Sequence, residues 1–299
     1  MKGKVIAVAN MKGGVGKTAT VLGVAEALAA NGAETLVIDL DPQANASICL
    51  AGNKILKDLI ETGHTIDGYL TDRLFKKNDR LDFSDRIRTH ISNVSHLDNQ
   101  LPISLLASSS ELRLVEREML YRLNKTGTDI DYFVDKLHDL IKDQLKQARK
   151  AYEYVLIDCP PGISLLTETS IRLANLVVVP TIPDFLSTYG LQSFCSNMRT
   201  GEIAKRSTLD KPKKPYVLVT RVRPINEHKH TIELLQNERL KDKPSFRLFQ
   251  TQIPERAAIA MALGKVDSWP SFSQKWRDTA STLENLTAEV KEALHGPGS

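Results

Sequence analysis

The sequence predicts an α/β fold, with a mostly parallel twisted sheet covered by helices on both faces. Short apolar runs alternate with helical patterns along the 299 residues, and strands that are buried on both faces show this pattern. A β-α-β pattern opens the chain, and such a crossover makes its two strands parallel. Because neither a repeat nor a low-complexity tract interrupts the alternation, we expect one domain over residues 1–299.

The opening unit consists of a strand at 4–10, a glycine loop, a helix through Leu28 that stops at Gly32, and a strand at 35–38. A polar, helix-prone stretch at about 53–98 is interpreted as an insertion without chemistry of its own. Further strands are expected at 103–107, 154–158, 175–179, 216–220 and 246–250. Further helices are expected at 109–123, 129–150 and 271–294, with a frayed end at 295–299.

Composition is ordinary for a soluble globular protein, with 41% hydrophobic and 25% charged residues. An apolar run of about 18 residues, as a membrane span needs, does not occur, and the first residues lack a signal-peptide pattern. We therefore expect a cytoplasmic protein. The three cysteines, Cys49, Cys159 and Cys195, lie far apart and predict small buried side chains, not a disulfide or a metal site.

A glycine loop lies between the first predicted strand and helix. Its glycines allow positive φ and leave the amide groups open to an anion, at the positive end of the following helix. Lys17 would neutralise the β- and γ-phosphates, and the Thr18 hydroxyl would bind Mg²⁺. The alternative is a glycine-rich turn without a ligand. Nucleotide contacts are predicted for Lys12, Gly13, Gly14, Val15, Gly16, Lys17, Thr18 and Ala19.

The loop departs from the ordinary phosphate-loop pattern at two neighbouring positions. Met11 occupies the place of the first glycine, and a second lysine, Lys12, stands directly before the Gly-Gly pair. Since one lysine suffices to neutralise phosphate oxygens inside the loop, Lys12 needs an explanation of its own.

Aspartates follow two later strands, where the carboxyl edge of the sheet brings them beside the loop. We assign Asp158 to Mg²⁺, directly or through water. Asp39 and Asp41 alternate onto one side of their strand, with Asp41 further out, so Asp41 is the candidate for positioning the attacking water. Asn45 could sense the γ-phosphate. The structural alternative is that Asp39 and Asp41 only shape a turn. Together the motifs predict a P-loop NTPase fold that uses ATP and Mg²⁺.

Three motifs carry a resemblance to a known family: the loop at 11–18, the Asp-Leu-Asp-Pro-Gln-Ala-Asn segment at 39–45, and the Tyr-Val-Leu-Ile-Asp-Cys-Pro-Pro-Gly segment at 154–162. Their combination resembles the ParA/MinD family of deviant Walker-A ATPases. The segment at 179–191 is similar to the plasmid and chromosome partition branch.

The resemblance implies a nucleotide-sandwich homodimer in which Lys12 crosses to the other subunit's phosphates and acts in catalysis with Lys17 and Asp41. Asp158 takes the place of the Walker B carboxylate. The resemblance further implies an ATP-dependent dimer that binds DNA without sequence preference on the nucleoid. A ParB-like centromere-binding protein or cargo adaptor then stimulates hydrolysis and release, which segregates a plasmid or chromosome or positions another cargo.

Two positions depart from the family pattern near the nucleotide. Ala19 stands where many members have a second hydroxyl residue, so one hydrogen bond to the α-phosphate is lost. The turn at 253–256 resembles a family turn near the adenine, where we assign Pro254 a base contact, but Glu255 replaces a common arginine.

Basic residues are concentrated between residues 199 and 229, where nine lysines and arginines face three acidic residues. A dimer with this charge suits the phosphate backbone of DNA. The alternatives are a solvated basic surface or, for two of the arginines, a contribution near the nucleotide. The residues proposed to bind DNA are Arg199, Lys205, Arg206, Arg221 and Arg223.

Two other functions compete with DNA partition. A MinD-like regulator that cycles on membranes would need a basic amphipathic tail, but residues 283–294 contain three glutamates and one lysine. We therefore expect that helix to pack on the domain and no membrane partner. A metabolic P-loop ligase or kinase would need a second substrate site, and histidines and carboxylates do not cluster outside the three motifs.

Overall fold

The fold was analysed in a computed structural model that describes residues 3–76, 81–96, 99–126, 130–200, 214–242, 244–264 and 268–296. Nine strands lie in this part of the chain. They are β1 (Lys4–Val8), β2 (Thr35–Asp39), β3 (Ser95–His96), β4 (Asn99–Gln100), β5 (Ile103–Leu106), β6 (Tyr154–Asp158), β7 (Leu176–Thr181), β8 (Tyr216–Val219) and β9 (Arg247–Leu248).

Seven of these strands form one sheet, in the order β5-β2-β6-β1-β7-β8-β9. Each pairing of neighbouring strands described in this sheet is parallel, and β3 and β4 form a separate antiparallel pair. The predicted parallel α/β fold is therefore confirmed. Strands β2, β6 and β7 are buried along their whole length, as their continuous apolar sequences require.

Twelve α-helices accompany the strands within the described residues. They are α1 (Lys17–Ala30), α2 (Asn45–Glu61), α3 (Ile66–Thr71), α4 (Leu112–Thr126), α5 (Ile130–Ala151), α6 (Leu165–Leu173), α7 (Phe185–Thr188), α8 (Leu191–Thr200), α9 (Asn226–Arg239), α10 (Ala257–Gly264), α11 (Phe272–Trp276) and α12 (Ala280–His295).

The helices cover both faces of the sheet and form two apolar cores. One core contains side chains of α1, α2 and α12 together with one face of the strands. The other contains side chains of α3, α4, α5, α6 and α8 with the opposite face. Cys49, Cys159 and Cys195 are free and buried, as the sequence predicts.

The stretch from 53 to 98 contributes to both cores. Helix α2 begins at Asn45, before this stretch, and is interrupted at Gly52, where φ is 72° and ψ is 161°. Leu56 packs into one core, and Tyr69 and Phe83 pack into the other. The polar composition of the stretch did not indicate these buried residues, because a few apolar side chains at helical spacing are enough to pack a helix on a core.

The C-terminal helix predicted at 271–294 is broken into two. Arg277 has φ of 48°, and a 3₁₀ turn at Arg277–Thr279 separates α11 from α12. Hydrogen bonds to Glu26 of α1 hold the residues just before the break: Lys275 Nζ lies 2.5 Å from Glu26 Oε1, and Trp276 Nε1 lies 2.7 Å from Oε2. The ion pair is fully buried, so it fixes α11 against α1 directly before the break.

Helix α12 packs its apolar face on the domain, as predicted. Leu283, Leu286 and Val290 are buried in the core that contains α1. The expected frayed end begins later than predicted, since His295 belongs to α12 and its ring lies 6.3 Å from that of Tyr154. Residues 297–299 lie outside the described residues.

Candidate active site

The glycine loop joins the central strand β1 to α1. Gly14 and Gly16 have φ of 74° and 87°, which glycine adopts without the steric cost that a Cβ would add. Gly16 has no side chain and occupies the N-cap of α1, so the first amide groups of the helix are left to an anion. A Cβ added at Gly13 or Gly14 would meet nothing within 4 Å, which is consistent with an open cradle.

Lys17 spans the inside of this loop. Its side chain is buried, with 7% of the residue exposed, and Nζ donates to the carbonyl oxygen of Lys12 at 2.8 Å. Burial lowers the pKa of Lys17, while the nearby charges of Asp158 and Asp41 oppose the shift. The ammonium therefore lies where phosphate oxygens would replace the carbonyl as its partner.

Asp158 and Thr18 meet at the carboxyl edge of the sheet, because β6 pairs with β1 and places Asp158 beside Val8. Thr18 Oγ1 donates to Asp158 Oδ2 at 2.7 Å. Asp158 is 1% exposed, and its Oδ1 lacks a hydrogen-bond partner among the described residues. Burial, followed by the charge of Asp39, raises the pKa of Asp158 well above its ordinary value.

This pair fits a magnesium site. A buried carboxylate oxygen without a partner, next to a hydroxyl, offers the hard oxygen ligands that Mg²⁺ prefers. In the described part of the chain, histidine, cysteine and acidic residues do not gather in groups of three around a metal position. Magnesium held by one or two protein oxygens, with phosphate and water completing the shell, needs no such group.

Asp39 braces the segment that follows β2. Its Oδ1 accepts the Asp41 amide at 3.0 Å, and its Oδ2 accepts the amide and the hydroxyl of Ser47 at 2.9 and 2.7 Å. Ser47 Oγ in turn accepts the Ser108 amide at 3.0 Å. Burial raises the pKa of Asp39 to about 6. These hydrogen bonds join β2, α2 and the segment after β5. The alternation of side chains along β2 did not predict this role of Asp39.

Asp41 and Asn45 lie at either end of a short switch segment, residues 41–45. Asp41 is buried, and its Oδ1 accepts the Gln43 amide at 2.9 Å. Asn45 is exposed at the start of α2, with Nδ2 3.4 Å from Gln43 Oε1. The geometry suits both interpretations of Asp41, since its carboxylate shapes the turn and also lies near Lys17.

Lys12 extends away from the loop. Its amide donates to Asn10 Oδ1 at 3.1 Å, and its Nζ lies 3.4 Å from Ser187 Oγ on α7. Ser187 is held by Asp184, whose Oδ2 accepts its hydroxyl at 3.0 Å. We define the rim of the site as four exposed apolar residues, Met11, Phe185, Leu186 and Tyr189, which are 55% to 79% exposed.

A cavity of about 260 Å³ adjoins the loop and is lined by Ala19 and Pro254 among other residues. Thr220, which the sequence analysis missed, directly follows β8 and donates its hydroxyl to Val15 O at 2.8 Å. Its position after an apolar strand was the available signal. Glu255 also lines the cavity.

Of the five residues proposed to bind DNA, the structure describes the side chains of Arg221 and Arg223. Lys205 and Arg206 lie outside the described residues, as does the side chain of Arg199 on α8. Arg223 is exposed, with Nε 3.4 Å from Glu255 Oε2. Arg221 lies at the phosphate loop instead, since its Nη1 donates to Gly14 O at 3.3 Å. The strand-end position of Arg221 directs it toward the loop, as the alternative interpretation allowed.

Within the described residues, the helices are each too short or too polar to cross a bilayer.

Comparisons with known proteins agree with this geometry. A family model described as AAA domain matches residues 3–211. The chromosome partitioning protein ParA of Myxococcus xanthus is 30% identical over 190 residues, which cover 63% of this chain and 56% of that protein. The chain spans between 56% and 65% of the length of the first curated relatives it matches.

Solved structures share the fold over nearly the whole chain. A putative plasmid partition protein from Borrelia burgdorferi B31, bound to AMPPNP, has a TM-score of 0.65 at 20% identity and covers 98% of this chain and 100% of its own. Cobyrinic acid a,c-diamide synthase from Mycobacterium smegmatis, with bound ADP and magnesium, has a TM-score of 0.67 at 20% identity and covers 97% and 94%. The match to most of the chain, the glycine loop with its second lysine and the strand-end aspartates show that this chain belongs to the AAA domain family and, within it, to the ParA/MinD group of deviant Walker-A ATPases.

Proposed function

We propose that this chain is a partition ATPase that dimerises with ATP, binds DNA without sequence preference and leaves the DNA after hydrolysing ATP to ADP and phosphate. A ParB-like or adaptor protein on the cargo stimulates that hydrolysis. The protein works in the cytoplasm on the nucleoid, and its cycle segregates a plasmid or chromosome or positions another cargo.

One observation carries this proposal: the ammonium groups of the two lysines of a single loop contact different parts of the molecule. Lys17 is buried inside the loop on the Lys12 carbonyl, whereas the Lys12 ammonium reaches outward to Ser187. An ammonium at the rim of an anion site, among exposed apolar side chains, suits contact with phosphates that a second subunit holds. The rim side chains supply the apolar surface that an association needs.

The remaining site residues divide the hydrolytic work. Amide groups of residues 13–18 hold the phosphates, and Lys17 balances their charge. Thr18 and Asp158 would hold Mg²⁺, which would supply positive charge to the phosphate oxygens. Asp41 orients the attacking water toward the γ-phosphorus, in line with the leaving ADP oxygen. Asn45 lies in the same switch segment, at the start of α2, and senses the γ-phosphate.

The relatives support partition over the competing functions. Relatives at 30% and 31% identity are chromosome partitioning proteins, whereas the solved structures at 20% identity support the fold alone. The apolar face of α12 is buried on α1, so this helix does not offer it to a membrane. DNA contact is proposed for Arg199, Lys205, Arg206 and Arg223.

DNA co-sedimentation with ATP, with ADP and without nucleotide tests this function. We expect binding only with ATP, equal binding to unrelated sequences, and a steep linear fall of log affinity with log salt. Nucleotide-independent binding, or ATP-dependent sedimentation with anionic vesicles in place of DNA, would contradict the proposal.

Reversing two charges of the basic segment is expected to weaken DNA binding. In Lys205→Glu with Arg206→Glu, phosphate contacts are replaced by repulsion, and the affinity at about 0.1 M salt should fall roughly tenfold or more. ATP affinity should stay unchanged. The matched control reverses Lys142 and Lys146, which are both exposed on α5, and equal weakening in the control would show a general effect of net charge.

Lys12→Ala is expected to bind ATP as a monomer while losing dimer formation. The ammonium lies outside its own loop, 3.4 Å from Ser187 Oγ, so its removal spares the phosphate cradle. Light scattering coupled to size-exclusion chromatography with AMPPNP should report dimers for the wild type and for Lys142→Ala, and monomers for Lys12→Ala. A normal dimer with normal turnover would remove Lys12 from the interface.

A further inference from the structure

Arg221 lies between the phosphate loop and the base cavity, and it is held in an uncommon backbone conformation. Its φ is 53°, in the left-handed region that costs side-chain-bearing residues energy and is visited mainly by glycine, asparagine and aspartate. An arginine placed there needs a reason.

The neighbours of Arg221 fix this conformation from both sides. On one side, Thr220 donates its amide and its hydroxyl to Thr181 O, and the same hydroxyl to Val15 O in the loop. On the other, Val222 forms a parallel bridge with Pro254, and its amide donates to Ile253 O at 3.0 Å. A strained residue persists only where its surroundings determine it in this way.

The imposed backbone directs the guanidinium to two acceptors. Nη1 donates to Gly14 O at 3.3 Å, while Nε and Nη2 both donate to Glu255 Oε1, at 3.0 and 2.6 Å. The hydrogen bonds from Arg221 lower the pKa of Glu255, and the charges of Arg221 and Arg223 lower it further. Glu255 is therefore a carboxylate that lines the cavity next to the phosphate loop.

Such a carboxylate would repel nucleotide phosphates unless a cation neutralised it. Arg221 lines the same cavity as Glu255 and touches the loop that cradles the phosphates, so its charge acts on both. About half of its side chain is exposed, which leaves N–H groups for an incoming oxygen.

We propose that Arg221 is a nucleotide-binding residue, anchored by Glu255, that neutralises this carboxylate and donates to the polyphosphate of the bound nucleoside triphosphate. This inference rests on the proposed nucleotide function and adds to it a cation that comes from the strand β8 side of the site. It also separates Arg221 from the residues proposed to bind DNA.

Calorimetric titration with ATP, ADP and adenosine tests the proposal. Arg221→Gln should raise the Kd for ATP about tenfold, since charge-assisted hydrogen bonds are lost and Glu255 keeps only its ion pair with Arg223. Adenosine, which has no phosphate, should bind the variant as it binds the wild type. Arg221→Gln combined with Glu255→Gln should return to within about threefold of wild type, because the repulsion is removed as well.

Two further variants separate binding from folding. Arg221→Gly removes the side chain and relieves the left-handed strain, so it should melt at or above the wild-type temperature without ligand and still lose about tenfold in ATP affinity. Arg247→Gln makes the same change of net charge at the amino end of the sheet, where Arg247 Nη1 donates to Tyr216 Oη at 2.7 Å. It should bind ATP as the wild type does.

The outcomes distinguish this inference from the function beneath it. Wild-type affinity in Arg221→Gln, or an equal loss for adenosine and ATP, would overturn the role of Arg221 alone. A double variant as weak as Arg221→Gln would overturn the neutralisation of Glu255. A wild-type protein that binds no ATP would overturn the proposed function together with the inference.

Discussion

Lys17→Ala is expected to lower the affinity for ATP by about a hundredfold, on the order of the loss of one or two charge-assisted hydrogen bonds. The ammonium lies inside the loop, is 7% exposed and already bonds a loop carbonyl at 2.8 Å. Its removal costs more than a contact, because the carboxylates of Asp158 and Asp41 that it faces would then repel the phosphates without compensation.

Calorimetric titration of ATP with magnesium measures this effect. Lys142→Ala, an exposed lysine on α5, is the matched control and should keep wild-type affinity. Thermal unfolding without nucleotide should show that the variant is folded, since burying a lysine disfavours its charged form and its loss relieves that cost. An affinity within a few fold of wild type would mean that phosphates do not bind in this loop.

Asp41→Ala is expected to slow ATP turnover at least about a hundredfold while ATP still binds, so that a DNA-bound dimer accumulates. Turnover in the presence of DNA and co-sedimentation after an ATP chase measure the two effects. The expectation follows from the position of Asp41, whose buried carboxylate lies on the switch segment, close to Lys17.

The alanine variant alone cannot separate chemistry from structure, because Asp41 Oδ1 also accepts the Gln43 amide at 2.9 Å. Asp41→Asn keeps an oxygen for that hydrogen bond but removes the charge. If Asp41 acts on water, both variants should be slow. Recovery of turnover in Asp41→Asn would show that the residue only shapes the turn.

The sequence predicts the sheet well where a strand is short, apolar and bounded by chemistry. Strand β6 occupies Tyr154–Asp158, as its apolar run indicates, and the rule that parallel strands share a carboxyl edge placed Asp158 near Thr18, 140 residues away. The phosphate cradle was predicted from the glycine loop together with its flanking strand and helix and the Lys17-Thr18 pair. These parts depend on local patterns and on one rule of topology.

Other features depend on contacts that a local pattern does not encode. Arg221 meets Gly14 across 207 residues, and Lys12 meets Ser187 across 175. Asp39 turns its carboxylate to Ser47 because a buried charge needs donors, so its alternation with Asp41 did not reveal its role. Likewise, the residues just before the break at Arg277 bond Glu26, which lies on α1, about 250 residues earlier in the chain.

The buried contact between Glu26 and the C-terminal segment limits which parts of the molecule can move during a nucleotide cycle. Glu26 lies on α1, the helix that begins in the phosphate loop, and its carboxylate binds both Lys275 and Trp276. Separating a buried pair of this kind costs about 3–5 kcal/mol. We therefore expect α1, α11 and α12 to move together as one rigid body. Motion between the ATP and ADP states is then expected outside this unit, at residues 41–45 and α7, which carry Asp41 and the partner of Lys12.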